Sequence, residues 1–468
     1  SRTHNSRAQR SFLCFPGSKE RMSVVATQEQ ELTLEEVAKH AHIGRDAKSS
    51  DLWLCYEGYV YDVSSWAFSH PGGRHIVAGW AGRDATVAIK SFHPNMTEPK
   101  RIMKSLRVGK LCAKDSVLPE IDEDVLNLRQ KYLQHGLYKG NKLWFFAQFA
   151  HILFLDVMSW VIMYNFGTGW LSYIAAGCVL AAGQAQAGWL QHDFGHLSVF
   201  SNPQTNRWVH QIVVGVMKGA SKTWWDWRHL RHHSHPNVVG RDPDVDMPQV
   251  FLLGDKVPVS WAKKKKGVMP YDQQHKYWFL IMPPLLIPTF FHYQILHYII
   301  MKREWVDALA IATFLFIFHW AFIPLLGGSG AVIFYFFVRF LESHWFVWIT
   351  QMNHLPMEVD VDKQRPWLAM QTIGTCNVTP TLFNNWVSGH LSSQIEHHVF
   401  PTLPRHNYHL VRDDVKDLCQ KHNLPYVEKG LWQAFADIVW SLRDSGALWK
   451  KTYEETHGSA TGKTLKVH

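Results

Sequence analysis

The sequence predicts a multi-domain protein in which a small α+β domain precedes an all-α integral membrane domain of about four transmembrane helices. Three observations carry this prediction: two β-rich runs near the N-terminus, several long apolar segments further on, and three histidine clusters beside those segments. The chain has 468 residues, enough for two or three domains. Because its mean hydropathy is slightly negative, the apolar segments must be joined to a sizeable soluble part.

The net charge of +9 is spread along the chain, with 48 Lys+Arg against 39 Asp+Glu. So diffuse an excess does not indicate nucleic-acid binding, and we expect no such partner. Four consecutive lysines at 263–266 lie between apolar segments and suit a cytosolic loop under the positive-inside rule, although a solvated charge run would look the same. The six cysteines form no Cys-x-x-Cys pair, which argues against a disulfide framework or a cysteine zinc site.

Residues 1–29 are predicted to be a disordered N-terminal extension. The stretch has no apolar run, so it is not a secretory signal. Residues 1–21 are rich in Arg and Ser and contain one acid, Glu20, a composition typical of a mitochondrial transit peptide. Alternatively, Met22 is the true start and residues 1–21 are not native, so they are left out of the fold prediction.

Residues 30–112 are predicted to form the small α+β domain. Thr33 and Glu36 have the Thr-x-x-Glu spacing of a capping box, which indicates that a helix begins here. Two β-rich runs, at 52–56 and 59–63, flank a two-residue turn that ends in glycine. This pattern predicts a β-hairpin.

Two histidines of this domain suit the axial positions of a b-type haem. His70 begins a His-Pro-Gly-Gly turn, and His93 follows a segment that starts with Asp-Ala-Thr. Two axial imidazoles must come from opposed loops, and the glycines let the backbone turn closely against the flat ring. The ordered set from the hairpin to His93 resembles cytochrome b5, and the resemblance implies that His70 and His93 are the axial ligands. We expect His75, in the same stretch, to be a surface residue.

A charged linker at 113–140 is predicted to lead into the membrane domain, residues 141–450. Four apolar segments there have about the 20 residues that a helix needs to cross the hydrocarbon core. They lie at 145–165, 168–190, 278–300 and 306–326. Residues 451–468 are predicted to be a polar tail, disordered after about residue 455.

A fifth segment, 331–350, is equally apolar but carries Arg339, Glu342 and His344. Histidine clusters that share one metal site must lie on the same side of the bilayer. Two crossings between the second and third clusters satisfy this condition, whereas three do not. We therefore expect that 331–350 does not cross fully, or that it replaces one of the weaker spans. Burying Arg339 alone in lipid would also cost a few kcal/mol.

The three histidine clusters predict a metal centre. Its candidate ligands are His192 and His196, then His229, His232 and His233, then Gln394, His397 and His398, and finally His354 in a Gln-Met-Asn-His segment. Residues three or four apart share a helix face, so each cluster points at least two side chains the same way. Imidazole suits iron, zinc and copper, and eight imidazoles exceed what one ion can bind. The clusters therefore predict a site for two metal ions.

Polar residues near the clusters are candidates for supporting roles. Asp242 and Asp244 could accept hydrogen bonds from metal-bound imidazoles, or they could cap a loop through their Asp-Pro-Asp sequence. His292, Gln294 and His297 interrupt the third apolar segment. Polar side chains in a span face a cavity or a partner, so these three would line a substrate tunnel or form hydrogen bonds between helices.

The boxes, in this order and behind a b5-like domain, resemble those of the front-end fatty acyl desaturases, in particular the animal delta-5/delta-6 desaturases of polyunsaturated fatty acid biosynthesis. The motifs that carry the resemblance are 184–196, 342–348, 351–354, 394–398 and 404–408. Gln394, in place of a histidine, is itself the front-end pattern. The resemblance covers residues from about 30 to 450.

This resemblance implies two non-haem iron ions bound by the box residues, haem b in the first domain, and O2 as co-substrate. It further implies a polyunsaturated fatty acyl-CoA as the lipid substrate and NADH-cytochrome b5 reductase as the electron donor. The expected location is the endoplasmic reticulum membrane, with the haem domain and the boxes cytosolic. The resemblance does not distinguish delta-5 from delta-6 selectivity.

Two other functions fit the same residues. A sphingolipid desaturase or a b5-fused lipid hydroxylase would use the same construction, and the clusters alone do not distinguish them. A non-enzyme, a membrane haem- or sterol-binding module, would more often have lost some of the ligands, and here every box is filled.

Overall fold

The computed structural model describes residues 30–265 and 269–458, so the predicted extension at 1–29 lies outside the described part. The first domain contains a five-stranded sheet in the order β1-β5-β4-β3-β2 with four short helices. Its strands are β1 (Glu31–Leu32), β2 (Ala41–His42), β3 (Asp51–Tyr56), β4 (Tyr59–Asp62) and β5 (Arg107–Leu111), and its helices are α1 (Leu34–Ala38), α2 (Arg74–Gly79), α3 (Thr86–Phe92) and α4 (Thr97–Lys104).

The local predictions for this domain are confirmed. The Thr33 hydroxyl accepts a hydrogen bond from the Glu36 N–H, and the Glu36 carboxylate accepts one from the Thr33 N–H, which completes the capping box. Strands β3 and β4 pair antiparallel around Glu57 and Gly58. Both turn residues have positive φ, 49° and 77°, as a two-residue type I′ hairpin turn requires.

The predicted linker at 113–140 contains the helix α5 (Glu120–Gln134). Its buried face packs against the second domain, where the Tyr132 ring meets the Phe400 ring edge to face at 5.3 Å. Lys131 on the same helix pairs with Asp414 at 2.8 Å. The high charge of the segment concealed this narrow apolar stripe.

The second domain is predominantly helical, as predicted. Its helices are α6 (Lys142–Phe166), α7 (Trp170–Gly195), α8 (Pro203–His210), α9 (Lys222–Ser234), α10 (Lys256–Lys263), α11 (Gln274–Leu285), α12 (His292–Lys302), α13 (Trp305–Gln351), α14 (Trp367–Ile373), α15 (Leu382–Ser388), α16 (Gln394–Val399), α17 (Tyr408–Lys421) and α18 (Leu431–His457). Two π-helical stretches, Gln211–Met217 and Leu286–Phe291, continue α8 and join α11 to α12. A short parallel pair, β6 (Asn377–Val378) and β7 (Glu428–Lys429), lies beside them. Helix α18 extends to His457, into the first part of the predicted polar tail.

Among the described residues, three helical stretches are long and apolar enough to cross a membrane: Lys142–Phe166, Tyr271–Lys302 and Trp305–Gln351. Helix α7, which we predicted as a span, is not among them because polar residues such as Gln184, Gln186 and Gln191 occupy its second half. Helix α13 has 47 residues, and a straight helix of that length would measure about 70 Å, more than twice the hydrocarbon thickness.

Gly327 divides α13 into two antiparallel halves. Its φ of 71° and ψ of 171° belong to a region that is essentially restricted to glycine. The two halves pack against each other, with the Phe334 ring 5.0 Å from Phe322 and 6.2 Å from Phe318. The predicted fourth and fifth apolar segments are therefore the two arms of one helical hairpin.

Helices α6 and α7 form a second hairpin that runs alongside the first. The Trp160 indole N–H donates to the Ala321 carbonyl at 3.1 Å, and the Tyr173 ring lies 5.0 Å from the Phe334 ring. Since each of these residues lies within seven positions of a turn, the turns at Gly167 and Gly327 are at the same end of the bundle. The first histidine box lies at the opposite end of α7, and His354 follows the opposite end of α13.

The stretch Tyr271–Lys302 differs from the predicted third span, because both of its ends lie at the histidine end of the bundle. Near its start, the Trp278 ring packs against Trp348 at 4.8 Å, close to the end of α13. Just beyond its end, Asp307 accepts hydrogen bonds from Ser221 and Thr223. These contacts favour the second alternative, in which 331–350 replaces a weaker span, and they keep the boxes on one side.

The charges of the fifth apolar segment are buried and paired. Glu342 is fully buried and binds the guanidinium of Arg339 at 2.5 Å and the ammonium of Lys218. Arg339 also donates to the Lys218 carbonyl at 2.7 Å. The pairing explains how an apolar bundle accommodates these residues, because a buried charge is tolerated when its partners satisfy it.

Replacing Glu342 with alanine is expected to lower the unfolding free energy by about 3–5 kcal/mol, because Lys218 and Arg339 would remain buried without their counter-ion. The midpoint of thermal unfolding in detergent measures the effect. Glu358→Ala is the control, since Glu358 is 40% exposed and its pairs with Lys363 and Arg365 contribute at most about 1 kcal/mol. Equal midpoints for both variants would contradict the prediction.

The first domain packs directly on the second domain. Its Trp80 lies 6.0 Å from Trp367 of α14, and the two belong to one continuous hydrophobic core. Polar contacts lie beside this core: Arg83 pairs with Asp362 at 3.1 Å, and Arg241 donates to the Gly79 carbonyl at 2.5 Å. The first domain therefore has one defined orientation toward the histidine boxes.

Candidate haem pocket and metal centre

His70 and His93 face each other across a cleft in the first domain. His70 follows a short 3₁₀-helix, and His93 ends α3, so they come from opposed loops as predicted. Their ring centroids are 6.2 Å apart, close to the spacing of two imidazoles that share one metal ion through bonds of about 2 Å. The His93 Nδ1–H donates to the Ile89 carbonyl at 2.8 Å, which leaves Nε2 for a ligand bond.

The surroundings of these two rings fit a haem. Burial lowers the pKa of His70 to about 3 and also lowers that of His93, so both imidazoles are neutral at physiological pH, as axial ligation requires. A Cβ on Gly72 would lie 3.1 Å from the His70 ring, which explains the small residue beside the ligand. His75 is exposed, as expected.

The second domain brings the histidine boxes together in two adjacent groups. In the first group, five imidazoles place one nitrogen each within 4.8 Å of all the others. This group consists of His192, His196, His229, His233 and His397. The second group, by the same criterion, consists of His232, His354 and His398. All eight predicted histidines are thus included, although they come from four separate segments of the chain.

The nitrogen positions of the first group fit a shared metal ion. The His229 Nε2 atom is 2.9 Å from that of His196 and 3.1 Å from that of His233, and the His233 Nε2 is 2.9 Å from that of His397. Neighbouring ligand atoms with bonds of about 2.1 Å to one ion are separated by about 3 Å. His192 completes the group, with its ring 4.5 Å from those of His196 and His397.

Gln394 belongs to the second group. Its side-chain amide nitrogen is 2.8 Å from the His354 Nε2, so the residue that replaces a histidine in the third box still faces the centre. His354 also lies 4.4 Å from His232, ring to ring. The two groups touch where the rings of His233 and His398 stack at 4.0 Å.

Several buried polar atoms of the centre have no hydrogen-bond partner within the described residues. They are the Nε2 atoms of His192 and His398 and the Oε1 atom of Gln394. Burial lowers the pKa of His229, His233, His397 and His398 well below the ordinary histidine value, so these rings are neutral, the form that binds a metal. The donor set therefore fits two imidazole-bound metal ions.

The outward nitrogens of these rings are fixed by specific partners. The His232 Nδ1 is 2.8 Å from Asp242, the His397 Nδ1 is 2.8 Å from the Tyr408 hydroxyl, and the His354 Nδ1 is 3.0 Å from the Gly374 carbonyl. The His398 Nδ1 is 3.0 Å from the Gln371 side-chain oxygen. Such partners fix the tautomer of a metal-binding histidine. Sequence reasoning predicted Asp242 but missed the roles of Tyr408 and Gln371.

Asp242 and Asp244 play different parts. Asp242 accepts from the N–H groups of Asn237 and Asp244 as well as facing His232, so it both supports a ligand and shapes the loop. Asp244 pairs with Arg228 at 2.7 Å and lies 3.8 Å from the His232 Nδ1. The Asp-Pro-Asp segment therefore has both roles considered from the sequence, because Asp242 is a partner of a candidate ligand and also caps the loop.

Replacing Asp242 with asparagine is expected to reduce the metal affinity of the centre roughly 10–100-fold, the usual effect of removing a partner from a metal-bound histidine. Elemental analysis of the purified protein tests this expectation. Asp244→Asn serves as the matched control, because Asp244 is partly exposed and makes no direct hydrogen bond to His232. A loss of equal size in both variants would count against a specific role for Asp242.

The three polar residues of the third apolar segment are not brought together at one surface. His292 lies 2.6 Å from the Tyr335 hydroxyl, an interhelical hydrogen bond of the kind considered as the alternative role. Gln294 accepts from Arg228 at 3.4 Å. His297 is exposed and stacks on Tyr293. The contacts favour hydrogen bonding between elements for His292 and Gln294.

Comparison with known protein families matches residues 168–430 to the fatty acid desaturases. This region is more than half of the chain and contains both histidine groups. The protein belongs to the fatty acid desaturase family. Residues 33–112 match the cytochrome b5-like haem/steroid-binding domain, the region that contains His70 and His93.

The desaturase is thus an O2-dependent oxidoreductase with a fused b5-like domain. Membership in this family favours the enzyme over the non-enzyme binding module considered from the sequence. The histidine groups of the desaturase domain and the paired histidines of the b5-like domain are the residues that could hold iron and haem, respectively.

Proposed function

We propose that this desaturase is a front-end enzyme that introduces a delta-5 or delta-6 double bond into polyunsaturated fatty acyl chains carried on coenzyme A. The observation that carries the proposal is the pair of adjacent histidine groups, with Gln394 of the third box in the second group. The b5-like domain packs against the domain that contains these groups. The sequence resemblance to front-end enzymes supports the choice of substrate.

The reaction removes two hydrogens from adjacent carbons of the chain. One O2, two electrons and two protons are consumed, one double bond forms, and two water molecules leave. No amino-acid side chain oxidises an unactivated C–H bond, so two bound irons would supply the oxidising power. We propose that His192, His196, His229, His233 and His397 hold one iron, and that His232, His354, His398 and Gln394 hold the other.

The protein residues perform the remaining tasks. Asp242, Tyr408 and Gln371 orient ligand rings through the hydrogen bonds described above. All the ligand rings except His229 are buried, which excludes bulk water from the reacting centre. In the b5-like domain, His70 and His93 would bind haem b and so provide single electrons. An NADH-dependent flavin reductase of cytochrome b5 is the proposed external donor.

We place the enzyme in the endoplasmic reticulum membrane, with the b5-like domain and the histidine boxes in the cytosol. The two helical hairpins support this arrangement, because both leave the boxes at one end of the bundle. The lysines at 263–265, also between apolar segments, suit the same cytosolic side.

Expression in yeast tests substrate and regioselectivity together. Cultures supplied with linoleic, α-linolenic or dihomo-γ-linolenic acid are analysed by gas chromatography and mass spectrometry. A delta-6 enzyme converts the first two acids and a delta-5 enzyme converts the third, each by adding a double bond on the carboxyl side of the existing ones. Hydroxylated acyl chains or modified sphingoid bases would overturn the proposal and favour the related lipid oxidases. The absence of any new product from all three acids would also overturn it.

A further inference from the structure

Helix α14 (Trp367–Ile373) forms the wall between the b5-like domain and the histidine centre. Trp367, its first residue, is only 1% exposed and lies in the core shared by the two domains. Gln371, one helical turn later, accepts from the His398 Nδ1 and donates to the His233 carbonyl at 3.1 Å. Along the helix, about 6 Å therefore separates Trp367, which contacts the b5-like domain, from Gln371, which contacts the histidine ligands.

On the haem side, Trp367 touches the residue next to a proposed haem ligand. The Phe92 ring packs edge to face on the Trp367 indole, with centroids 5.6 Å apart and planes at 82°. Phe92 is bonded directly to His93. A single aromatic contact therefore joins α14 to the haem pocket.

On the metal side, Trp367 is connected through a hydrogen bond. Its indole N–H donates to the Val399 carbonyl at 3.0 Å, and Val399 is bonded directly to His398 of the second histidine group. The route from His93 to His398 consists of peptide-bonded neighbours, one ring contact and one hydrogen bond. Trp367 and Val399 belong to the core shared by the two domains, and Phe92 packs against it.

A second aromatic contact crosses the interface. The Trp80 indole N–H donates to the Ser234 hydroxyl at 3.1 Å, and Ser234 is bonded to His233 of the first group. Trp80 contacts Trp367 at 6.0 Å, but it is not adjacent in sequence to His70 or His93. This contact therefore reaches the metal centre without an equally direct connection to the haem pocket.

We propose that Trp367 is the bridge through which electrons pass from the b5-like domain to the histidine centre. In each transfer one electron leaves ferrous haem, which becomes ferric, and reduces one ferric non-haem iron to ferrous. Trp367 is a positioning residue that couples the two sites and is itself neither oxidised nor reduced in the net reaction. This inference rests on the proposed cofactors, but it is independent of the identity of the acyl substrate.

Flash photoreduction of the purified full-length protein, with haem and ferric iron bound, tests the proposal. A deazaflavin sensitiser reduces the haem under anaerobic conditions, and the Soret band then reports its reoxidation as the electron moves on. We expect Trp367→Leu to slow this reoxidation several-fold. The haem midpoint potential, the Soret maximum of the ferric form and the iron content should be unchanged.

Trp80→Leu is the matched control, because Trp80 is also a buried tryptophan of the same core and interface. It should reoxidise its haem at the wild-type rate. Trp367→Phe preserves an aromatic ring but loses the N–H bond to Val399, and it should give an intermediate rate even if the leucine variant folds poorly. Unchanged rates in both Trp367 variants, or an equal slowing in Trp80→Leu, would overturn the proposal.

No acyl chain or O2 enters the flash experiment. A failure of the proposed desaturation would therefore appear in the yeast product analysis and leave the rates of haem reoxidation unaffected, whereas a failure of the bridge would appear in those rates whatever products the yeast forms. A chemical mediator that reduces the non-haem iron directly should restore product formation in Trp367→Leu. A purely structural defect would not be restored in this way.

Discussion

Replacing His233 with alanine is expected to abolish desaturation, with product falling at least about a thousandfold, because a metal centre contributes several kcal/mol of transition-state stabilisation. His233 is fully buried and occupies the middle of the centre. Its Nε2 faces His229 and His397, and its ring stacks on His398 of the other group. Loss of this one side chain therefore disturbs both groups.

Iron analysis and gas chromatography of products check this expectation on one preparation. His297→Ala is the control, because His297 is an exposed histidine of the same domain that belongs to neither group. The haem spectrum of both variants should match that of the wild type. Full activity in His233→Ala would refute the assignment of His233 as a ligand.

Replacing His93 with alanine is expected to remove the bis-histidine haem spectrum and, with it, product formation that depends on NADH. The His93 ring is the partner of His70 across the cleft, and its Nδ1 is already held by the Ile89 carbonyl. The iron content of the second domain should remain that of the wild type.

Optical spectroscopy of the reduced and oxidised protein provides the measurement. His75→Ala is the matched control, since His75 lies in the same stretch of chain and is exposed. It should retain the spectrum and the activity. If His93→Ala kept a low-spin haem with two nitrogen ligands, the proposed pair of axial residues would have to be revised.

The histidine groups could be predicted from the sequence because helical spacing carries most of the information. His229, His232 and His233 lie on one helix, where residues three and four apart share a face. His354 was found from its position after an apolar segment, and the fold places it beside His232. Gln371 could not be found in this way, because it lies 27 residues from His398, its partner, and has no characteristic spacing.

The membrane topology was harder to predict, for a physical reason. Length and apolar composition describe a helix that can cross a membrane, and Tyr271–Lys302 meets both conditions. Its path is determined instead by contacts with distant residues, such as the pairing of Trp278 with Trp348. The conformation of Gly327 likewise depends on the packing of two aromatic helix faces, which a run of apolar letters does not reveal.

The turns at Gly167 and Gly327 leave the far end of the bundle with almost no polypeptide of its own. Each hairpin reverses within a few residues there, whereas the b5-like domain and α18 pack against segments at the opposite end. Within the described chain, this end of the bundle thus offers little surface to which another protein could bind. In the topology proposed above, a protease confined to the compartment at that end would find, within the described residues, the two short loops at Gly167 and Gly327 to cut.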